Sequence, residues 1–499
     1  MIMVLILKKG RGLIHSEVIK TALLPLLLGL ITLTGCMAGP DYKQPQTQLP
    51  KKFANETGNS FSNKNAETLW WRGFNDKKLN QLIELAIMGN YGLRIATANL
   101  REARALRSET RFDLYPTVTS QASYTRERLS TRVSPVPLER DINLYDAGFD
   151  ATWEIDFFGR VRRSLEASTA EIEAAEAKRQ DVIVSILAEV ARNYFELRGA
   201  QHQLEVARRN AENQKQTFDL TIAVLKGGRG TELDTSRAQA QLNSTLATIP
   251  PLEATIKRAI YRLSILTGQQ PSALERDLSG PLPLPNLPNL VALGRPEDLL
   301  RRRPDIRVAE RNLAASTARI GVATADLFPR ITFIGSIALE ANSFAGLFKS
   351  GSSMFFFGPQ IFWAAFDLGR VRARIKAAGA RAEAALAQYE QTVLLALEEA
   401  EDALVDFNRQ KERLEFLRIS AQASEKAVKL AQLRYQYGVA DFLTVLDAER
   451  TLLQAQDQLA QSETTTATAL IAVYKALGGG WEEVEKENQY ENKLSDKTK

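Results

Sequence analysis

The hydrophobic and polar positions of this 499-residue chain follow two rhythms in succession. Over residues 75–110 the apolar positions recur at helical spacing, and this helix is predicted to end before Pro116, because the residue before a proline avoids the α conformation. Apolar side chains then alternate with polar or small ones near residues 115–128 and 147–158. This alternation predicts two strands, each with one apolar face.

A long segment without helix breakers follows the strands. Residues 160–226 contain no proline and one glycine, Gly199, and are rich in Ala, Glu, Arg and Gln, which is typical of a helix. A helix of this length would span about 100 Å. Glycines follow it, and Thr231 is a candidate N-cap for a return helix over 231–267. The predicted unit is therefore a helix, two strands, a long helix and a return helix.

The second half of the chain repeats this unit. Asp-Leu-Tyr-Pro at 113–116 recurs as Asp-Leu-Phe-Pro at 326–329, and Trp153 corresponds to Trp363, 210 residues later. Such a sustained correspondence indicates that one structural unit has been duplicated. The second copy is predicted to contain, in order, a helix, strands near 328–341 and 353–367, a long helix over 370–436 and a return helix over 441–477, with Asp441 as its candidate N-cap.

The predicted fold class is an α+β membrane protein built from this duplicated helix–strand–strand–helix–helix unit. A proline-rich stretch between the copies cannot be helical and is predicted to be a linker. The predicted divisions are a signal peptide 1–35, a lipidated extended segment 36–74, repeat 1 at 75–278, the linker 279–295, repeat 2 at 296–480 and a polar C-terminal tail 481–499.

The amino-terminal segment has the pattern of a lipoprotein signal. Basic residues precede an apolar run at 22–31, which is short for a transmembrane helix and fits a secretory signal peptide. The run ends in Leu-Thr-Gly-Cys at 33–36, a bacterial lipobox, so we expect Cys36 to be acylated and to become the mature first residue. The alternative is a buried free cysteine. Met37 stands where an aspartate would signal inner-membrane retention, which favours the outer membrane.

Charge and composition exclude several functional classes. The formal charge is +5, and residues 1–35 contribute four positive and one negative side chain, so the mature chain carries 5 − 3 = +2. This balance is not typical of a nucleic-acid-binding protein. The basic cluster 301–303 is interpreted as a helix face. A single cysteine excludes a disulfide framework.

No arrangement of residues predicts catalysis, a cofactor or a metal. The two histidines are His15, in the signal peptide, and His202, in a long helix, and no further cysteine or histidine is available to complete a metal site with His202. A P-loop is absent, and acidic pairs such as those at 398–399 and 401–402 are interpreted as solvated helix surface. The sequence therefore predicts a protein that is not an enzyme.

The number of predicted strands constrains the assembly. No further apolar stretch of 18 or more residues is present, so a membrane crossing would use the strands. Four strands per chain cannot close a barrel, and open edges in hydrocarbon cost several kcal/mol for each unsatisfied backbone group. Two chains would supply eight strands, and side chains would fill the interior of an eight-stranded barrel. Three chains would supply twelve strands, which enclose a lumen. A conducting assembly is therefore predicted to be a trimer or larger.

Four blocks of sequence resemble the TolC/OprM-like outer-membrane factors, in the lipoprotein branch that serves resistance-nodulation-division (RND) efflux pumps. Besides Cys36, these blocks are Gly-Pro-Asp-Tyr-Lys-Gln-Pro at 39–45, Trp-Trp-Arg-Gly-Phe-Asn-Asp at 70–76, Arg-Arg-Pro-Asp-Ile at 302–306 and Asp-Ala-Glu-Arg at 447–450. The resemblance covers about residues 33–480. It implies a homotrimer with a 12-stranded outer-membrane β-barrel continued by a long periplasmic α-helical barrel. The implied role is a passive exit duct that works with an inner-membrane RND-type pump and a periplasmic adaptor.

One helix face after the second hairpin is the main candidate site. Leu443, Asp447 and Arg450 lie at i, i+4 and i+7, so they share a face of the return helix. The resemblance implies that the leucine and the aspartate form narrow rings in the lumen, and that Arg450 and Tyr435 help to hold a periplasmic gate closed. Three carboxylates around an axis would repel one another and attract cations. The copy-one equivalents are Leu233, Arg237 and Ala240.

Glycine clusters at the hairpins are the predicted docking site of the adaptor. These are Gly227, Gly228 and Gly230 in copy one and Gly438 in copy two, where the long helices end farthest from the strands. The alternative interpretation of the whole chain is a non-conducting structural coiled-coil lipoprotein, for which a strict heptad along the long helices would be expected. The loosely periodic, alanine-rich pattern and the alternating strands favour the duct.

Overall fold

The structure is a computed structural model of the 499-residue chain. It describes residue 484 and residues 37–482 except 57–60, 63, 65–66, 131, 133–140 and 289. The predicted signal peptide and the predicted lipidation site Cys36 lie outside the described residues, as does most of the predicted tail 481–499.

The elements are numbered here in chain order. Strands are β1 (Phe61–Ser62), β2 (Thr117–Arg128), β3 (Asp141–Ile155), β4 (Val291–Ala292), β5 (Arg330–Ala341) and β6 (Ser353–Phe362). Helices are α1 (Lys77–Gly89), α2 (Tyr91–Phe112), α3 (Arg160–Lys226), α4 (Glu232–Leu246), α5 (Ile249–Leu266), α6 (Glu275–Leu278), α7 (Pro296–Arg302), α8 (Pro304–Ala325), α9 (Leu368–Gln436) and α10 (Phe442–Ala476).

The chain forms two compact units, and each unit collects segments from both predicted repeats. The first contains the described residues up to Lys43 together with Ala105–Ala170 and Ala314–Ala384. The second contains Gln44–Arg104, Glu171–Leu313 and the described residues from Ala385 onward.

A four-stranded antiparallel sheet, in the order β2-β3-β5-β6, dominates the first unit. Phe149 pairs with Ile337, and Ile337 pairs with Phe355, so these apolar side chains lie in one row on the same face. All three are more than 60 % exposed. This face has no cover among the described residues of the chain, and β2 and β6 are the open edges of the sheet.

Two strand boundaries differ from the sequence prediction. β3 begins at Asp141 rather than near 147, because its first residues pair with the end of β2, where Asp141 lies opposite Arg128. Backbone pairing sets this boundary, and the side-chain alternation does not reveal it. β6 ends at Phe362 rather than near 367, because Asp367 N–H donates to the Ala364 carbonyl and closes a turn.

The predicted first helix of copy one is two helices, separated at Asn90. Asn90 has an extended backbone, and its Oδ1 accepts a hydrogen bond from Leu93 N–H at 3.2 Å, so its side chain caps the start of α2. Its Nδ2 donates to the Leu266 carbonyl at 2.8 Å. A capping residue therefore interrupts what the apolar spacing alone predicts as one helix.

The predicted return helix 231–267 is also two helices, α4 and α5. Pro250 and Pro251 lie in the first turn of α5, where a missing N–H is tolerated, but they cannot continue a helix from the preceding turn. The corresponding helix of copy two, α10, has no proline and runs unbroken from Phe442 to Ala476.

The predicted linker and the predicted extended amino-terminal segment contain regular structure. Phe61 in β1 pairs in parallel with Val291 in β4, so the two segments form a small sheet. Residues Trp70–Phe74 form a 3-10 helix. Trp70 stacks on Tyr474 with ring centroids 5.0 Å apart, and Phe74 meets Phe195 at 4.8 Å. These contacts anchor the segment to α3 and α10 in the core of the second unit.

The interpretation of the basic cluster 301–303 as a helix face does not hold for Arg303. It is 8 % exposed, and its guanidinium donates hydrogen bonds to Asp305, to Glu399 and to the Ala476 carbonyl. Although burial alone would raise the pKa of Glu399, the hydrogen bond from Lys475 and the nearby Arg303 lower it. Arg301 is exposed at the end of α7, as expected of a helix face, whereas Arg303 is buried and pairs with the half-buried Glu399.

Among the residues that the structure describes, no helix has both the length and the apolar character required to cross a membrane.

Candidate functional site

Glycines with left-handed backbones end both long helices. Gly228 has φ +71° and Gly438 has φ +72°. Each ends its helix in the same way: Gly228 N–H donates to the Leu225 carbonyl, and Gly438 N–H donates to the Tyr435 carbonyl, both at 2.9 Å. No atom lies within 4 Å of a Cβ built at either glycine. A larger residue at either position would therefore be disfavoured by the left-handed backbone and not by a steric clash.

The return helices begin at the predicted N-caps. Thr231 Oγ1 accepts a hydrogen bond from Asp234 N–H at 3.2 Å, and Asp441 Oδ1 accepts one from Thr444 N–H at 3.0 Å. The Thr444 hydroxyl also donates to Asp441 and lowers the pKa of that carboxyl. Each hairpin therefore consists of a glycine-terminated helix and a polar-capped one.

The exposed face of α10 carries all three residues predicted for the gate on this helix. Leu443, Asp447 and Arg450 are exposed. The opposite face is buried and contains Phe442, Val445, Leu446 and Glu449. In the first hairpin, Leu233 is exposed in the same way. An exposed leucine at the second residue of the return helix is thus common to both hairpins.

Arg450 and Tyr435 bind to α4 and α10, and not to Asp447. Arg450 Nε donates to Gln241 Oε1 at 3.0 Å. The ring of Tyr435 packs against Phe442, with centroids 5.8 Å apart. Burial raises the pKa of Tyr435, and the carboxylate of Asp234 acts in the same direction.

The sequence prediction missed Gln241 and Asp234 as neighbours of the gate residues. They lie seven residues apart on α4, which places them on one helix face, and that spacing is the signal that could have identified them. Buried Ala238, Phe442 and Leu446 form a small apolar cluster, here called the tip cluster, with Phe218 and Tyr435 packed against it. The tip cluster joins α4 to α10 on the side opposite the exposed Leu443, Asp447 and Arg450.

The structure brings no metal-binding group together within its described residues. His202 lies in α3, with its Nε2 atom 3.7 Å from Glu463 Oε2.

Comparison with known proteins assigns the family. The sequence profile of the outer membrane efflux protein family matches residues 82–269 and 296–479. The chain is 33 % identical over 461 residues to the solvent efflux pump outer membrane protein SrpC of Pseudomonas putida, covering 91 % of this chain and 97 % of SrpC. It is 30 % identical over 467 residues to nodulation protein T of Rhizobium leguminosarum bv. viciae, covering 94 % of each.

Solved structures agree with this assignment. The outer-membrane channel OprN superposes with a TM-score of 0.84 at 46 % identity, covering 89 % of this chain and 100 % of that one. The open state of the Neisseria gonorrhoeae MtrE outer membrane channel gives a TM-score of 0.80 at 31 % identity, covering 89 % of this chain and 99 % of that one. The chain belongs to the outer membrane efflux protein family. It is therefore an outer-membrane exit channel of an efflux system, in a family of transport channels rather than enzymes.

Proposed function

We propose that three copies of this chain form the exit duct of a tripartite efflux system. In this assembly, a 12-stranded barrel in the outer membrane continues into a helical barrel in the periplasm. The observation that carries the proposal is the sheet: it has two open edges and an apolar face that no described part of the chain covers. Pairing β6 of one copy with β2 of the next would satisfy both edges, and lipid would cover the apolar face.

The remaining partners follow from this role. A periplasmic adaptor would dock on the two hairpins, where Gly228 and Gly438 end the long helices and Tyr437 and Val439 are exposed. An inner-membrane RND-type pump would supply the cargo. Because a passive duct need not recognise what it carries, substrate specificity would reside in the pump.

We further propose that Leu443 and Asp447 line the narrowest part of the duct. Their exposure on one face of α10 is compatible with a lumen-facing position. In this proposal Arg450, through Gln241, and Tyr435, through the tip cluster, hold the hairpins together. Three Asp447 carboxylates around the axis would attract cations and disfavour anions.

A lipid anchor at Cys36 completes the proposal. The residues directly after it are held at the end of β3: Ala38 N–H donates to the Phe158 carbonyl at 3.0 Å, and Arg163 donates to the Ala38 carbonyl at 3.1 Å and to Asp41 at 2.6 Å. This attachment supports an anchor located beside the end of the membrane strands.

The test combines particle mass and conductance of the purified protein. In detergent, mass photometry should give particles of three chains, and planar bilayers should show discrete channels that favour cations. A stable membrane-inserted monomer would exclude the shared barrel. Trimers that never conduct would favour a structural coiled-coil lipoprotein instead.

A further inference from the structure

A layer of buried and half-buried polar side chains lies between α3 and α10. Asn210 Nδ2 donates to Gln456 Oε1 at 2.9 Å, and the Thr217 hydroxyl donates to Glu449 Oε1 at 2.8 Å. The two pairs are seven residues apart on each helix and run in opposite directions, so the helices are antiparallel here. Gln214 lies between them on α3 and is 4 % exposed. Buried polar layers of this kind reduce helix-packing stability, and one member of this layer is ionisable.

A cavity of about 430 Å³ lies beside this layer, between α3, α9 and α10. Glu449 borders it and is 7 % exposed. Its Oε1 accepts a second hydrogen bond, from Gln432 Nε2 on α9 at 3.1 Å. Asparagine and glutamine side chains supply seven of its seventeen lining residues. The cavity therefore has room and polar partners for water.

No cation neutralises Glu449 among the described residues. The charged side chains that line the cavity are Arg209 on α3 and Glu425 and Lys429 on α9. Glu425 and Lys429 pair with each other at 2.8 Å, and the other titratable lining group is Tyr435. Burial raises the pKa of Glu449, although the hydrogen bonds from Thr217 and Gln432 oppose the shift. A buried carboxylate with only neutral partners is costly when ionised and well accommodated when protonated.

This carboxyl adjoins the contacts that hold the hairpin. Leu446, one turn before Glu449 on α10, belongs to the tip cluster, and Tyr435 both borders the cavity and packs against that cluster. A change in packing around Glu449 would therefore act on the contacts between α4, α9 and α10 that lie behind the gate residues.

We propose that Glu449 is a proton-responsive positioning residue of the duct's periplasmic tip. With a neutral carboxyl, α9 and α10 pack against α3 and the tip stays closed. With an ionised carboxylate, water enters the cavity, the helices separate locally and the tip loosens. The proposal rests on the trimeric duct proposed above, but it assigns to a buried residue a role that the exposed Asp447 face does not have.

The direction of the pH response follows from linkage. Closed packing holds the proton of Glu449 more tightly than the loosened state, where the carboxyl is solvated. The closed state is therefore most favoured below the ordinary carboxyl pKa. Its advantage is lost as pH rises through the raised pKa of the packed state, so the tip should be tighter in acid than at neutral pH.

The test measures the separation of the three tips directly. A spin label at Val439→Cys, an exposed hairpin position, would be placed on each full-length chain, and label-to-label distances measured by double electron–electron resonance across a pH series from acid to neutral. The distances should lengthen as pH rises. In Glu449→Gln, which mimics the neutral carboxyl, they should stay short throughout.

A second variant changes the midpoint without removing the carboxyl. Thr217→Val deletes a donor that favours the ionised form, so the transition should move upward by about one pH unit. A merely structural role of Thr217 would not produce that shift. The matched control is Asp457→Asn: burial raises the pKa of Asp457 too, but Asp457 does not line the cavity, and this variant should keep the native response.

Each outcome bears on the proposal. Distances that do not change with pH, a native response in Glu449→Gln, or an unmoved midpoint in Thr217→Val would overturn it while leaving the trimer intact. A complete absence of coupling between labels would instead overturn the trimeric duct, and with it the role assigned to Glu449.

Discussion

Arg450 donates a hydrogen bond to Gln241, on the neighbouring helix α4, and forms no ion pair with Asp447. The Asp447 carboxylate therefore has no ion-pair partner among the described residues of its own chain, although Arg450 is only three positions away. At the scale of single residues, Arg450 and Asp447 therefore have different roles although they share a helix face. Arg450 can link helices, while Asp447 remains free to act on ions.

The Asp447 carboxylate should govern ion selectivity at the tip. We expect Asp447→Asn to weaken both cation preference and the block by millimolar divalent cations, because the change removes charge but keeps the shape. Replacing Asp447, Arg450 and Tyr435 together should raise conductance above that of Asp447→Asn, because the Arg450–Gln241 hydrogen bond and the Tyr435–Phe442 contact are then lost as well. The measurement is single-channel conductance with and without the divalent ion.

The control for charge is Glu412→Gln, which neutralises an exposed acid on α9 that pairs with Arg409 and does not line the cavity. This variant should keep the native selectivity. Identical conductance and selectivity in the native protein, Asp447→Asn and the triple variant would remove the gate from this face of α10.

The two hairpins are alike at the scale of the element, because the same backbone bonds end both long helices. Gly438→Val should distort the second hairpin, because a β-branched residue disfavours the left-handed backbone by about 1–2 kcal/mol or more. We expect lost efflux with retained trimers, measured as drug susceptibility of complemented cells together with particle mass. Gly379→Val, the same change at a glycine of α9 outside the hairpins that has no positive φ and open space around it, is the matched control and should be tolerated. Normal efflux by Gly438→Val would count against docking at this hairpin.

The break between α1 and α2 depends on one side chain with two hydrogen bonds. Asn90→Ala should destabilise the chain by about 1–2 kcal/mol, because it removes the cap of α2 and leaves the Leu266 carbonyl without its donor. Thermal unfolding followed by circular dichroism would measure the loss. Asn90→Asp keeps the capping oxygen but not the donor, so its unfolding midpoint should lie between those of the native protein and Asn90→Ala. An unchanged midpoint in Asn90→Ala would show that apolar packing alone holds this junction.

At the scale of the whole molecule, the proposed lipid anchor and the sheet are expected to act together. Cys36→Ser should abolish labelling by radioactive palmitate and reduce the yield of outer-membrane trimers, because the acyl chains are lost while the strands remain. Membrane fractionation and particle mass would separate the two effects. The control is Ser130→Ala, which also changes one small side chain but lies far along the chain from Cys36, so palmitate labelling should be unchanged. Undiminished palmitate incorporation in Cys36→Ser would exclude the anchor.

Local chemistry determined the helix ends and several starts. Gly228 and Gly438 end their helices because the left-handed position favours a residue without Cβ, and Thr231 and Asp441 cap the next ones through their own side chains. These effects act over a few residues, so the sequence reveals them. Asn90 carries the same kind of signal, but the continuous apolar spacing on both sides hid it.

Tertiary packing decided what local sequence cannot encode. The length of β3 follows from its pairing with β2, and Arg303 is buried because Asp305, Glu399 and the end of α10 surround it. Glu449 resembles a solvated helix residue in sequence, yet α3 and α9 enclose it and change the chemistry of its carboxyl. The sequence by itself determined the order of long helices and paired strands, the caps at the two hairpins and the family motifs. Only the folded chain decided which charges are buried, because burial depends on helices that are far apart in sequence.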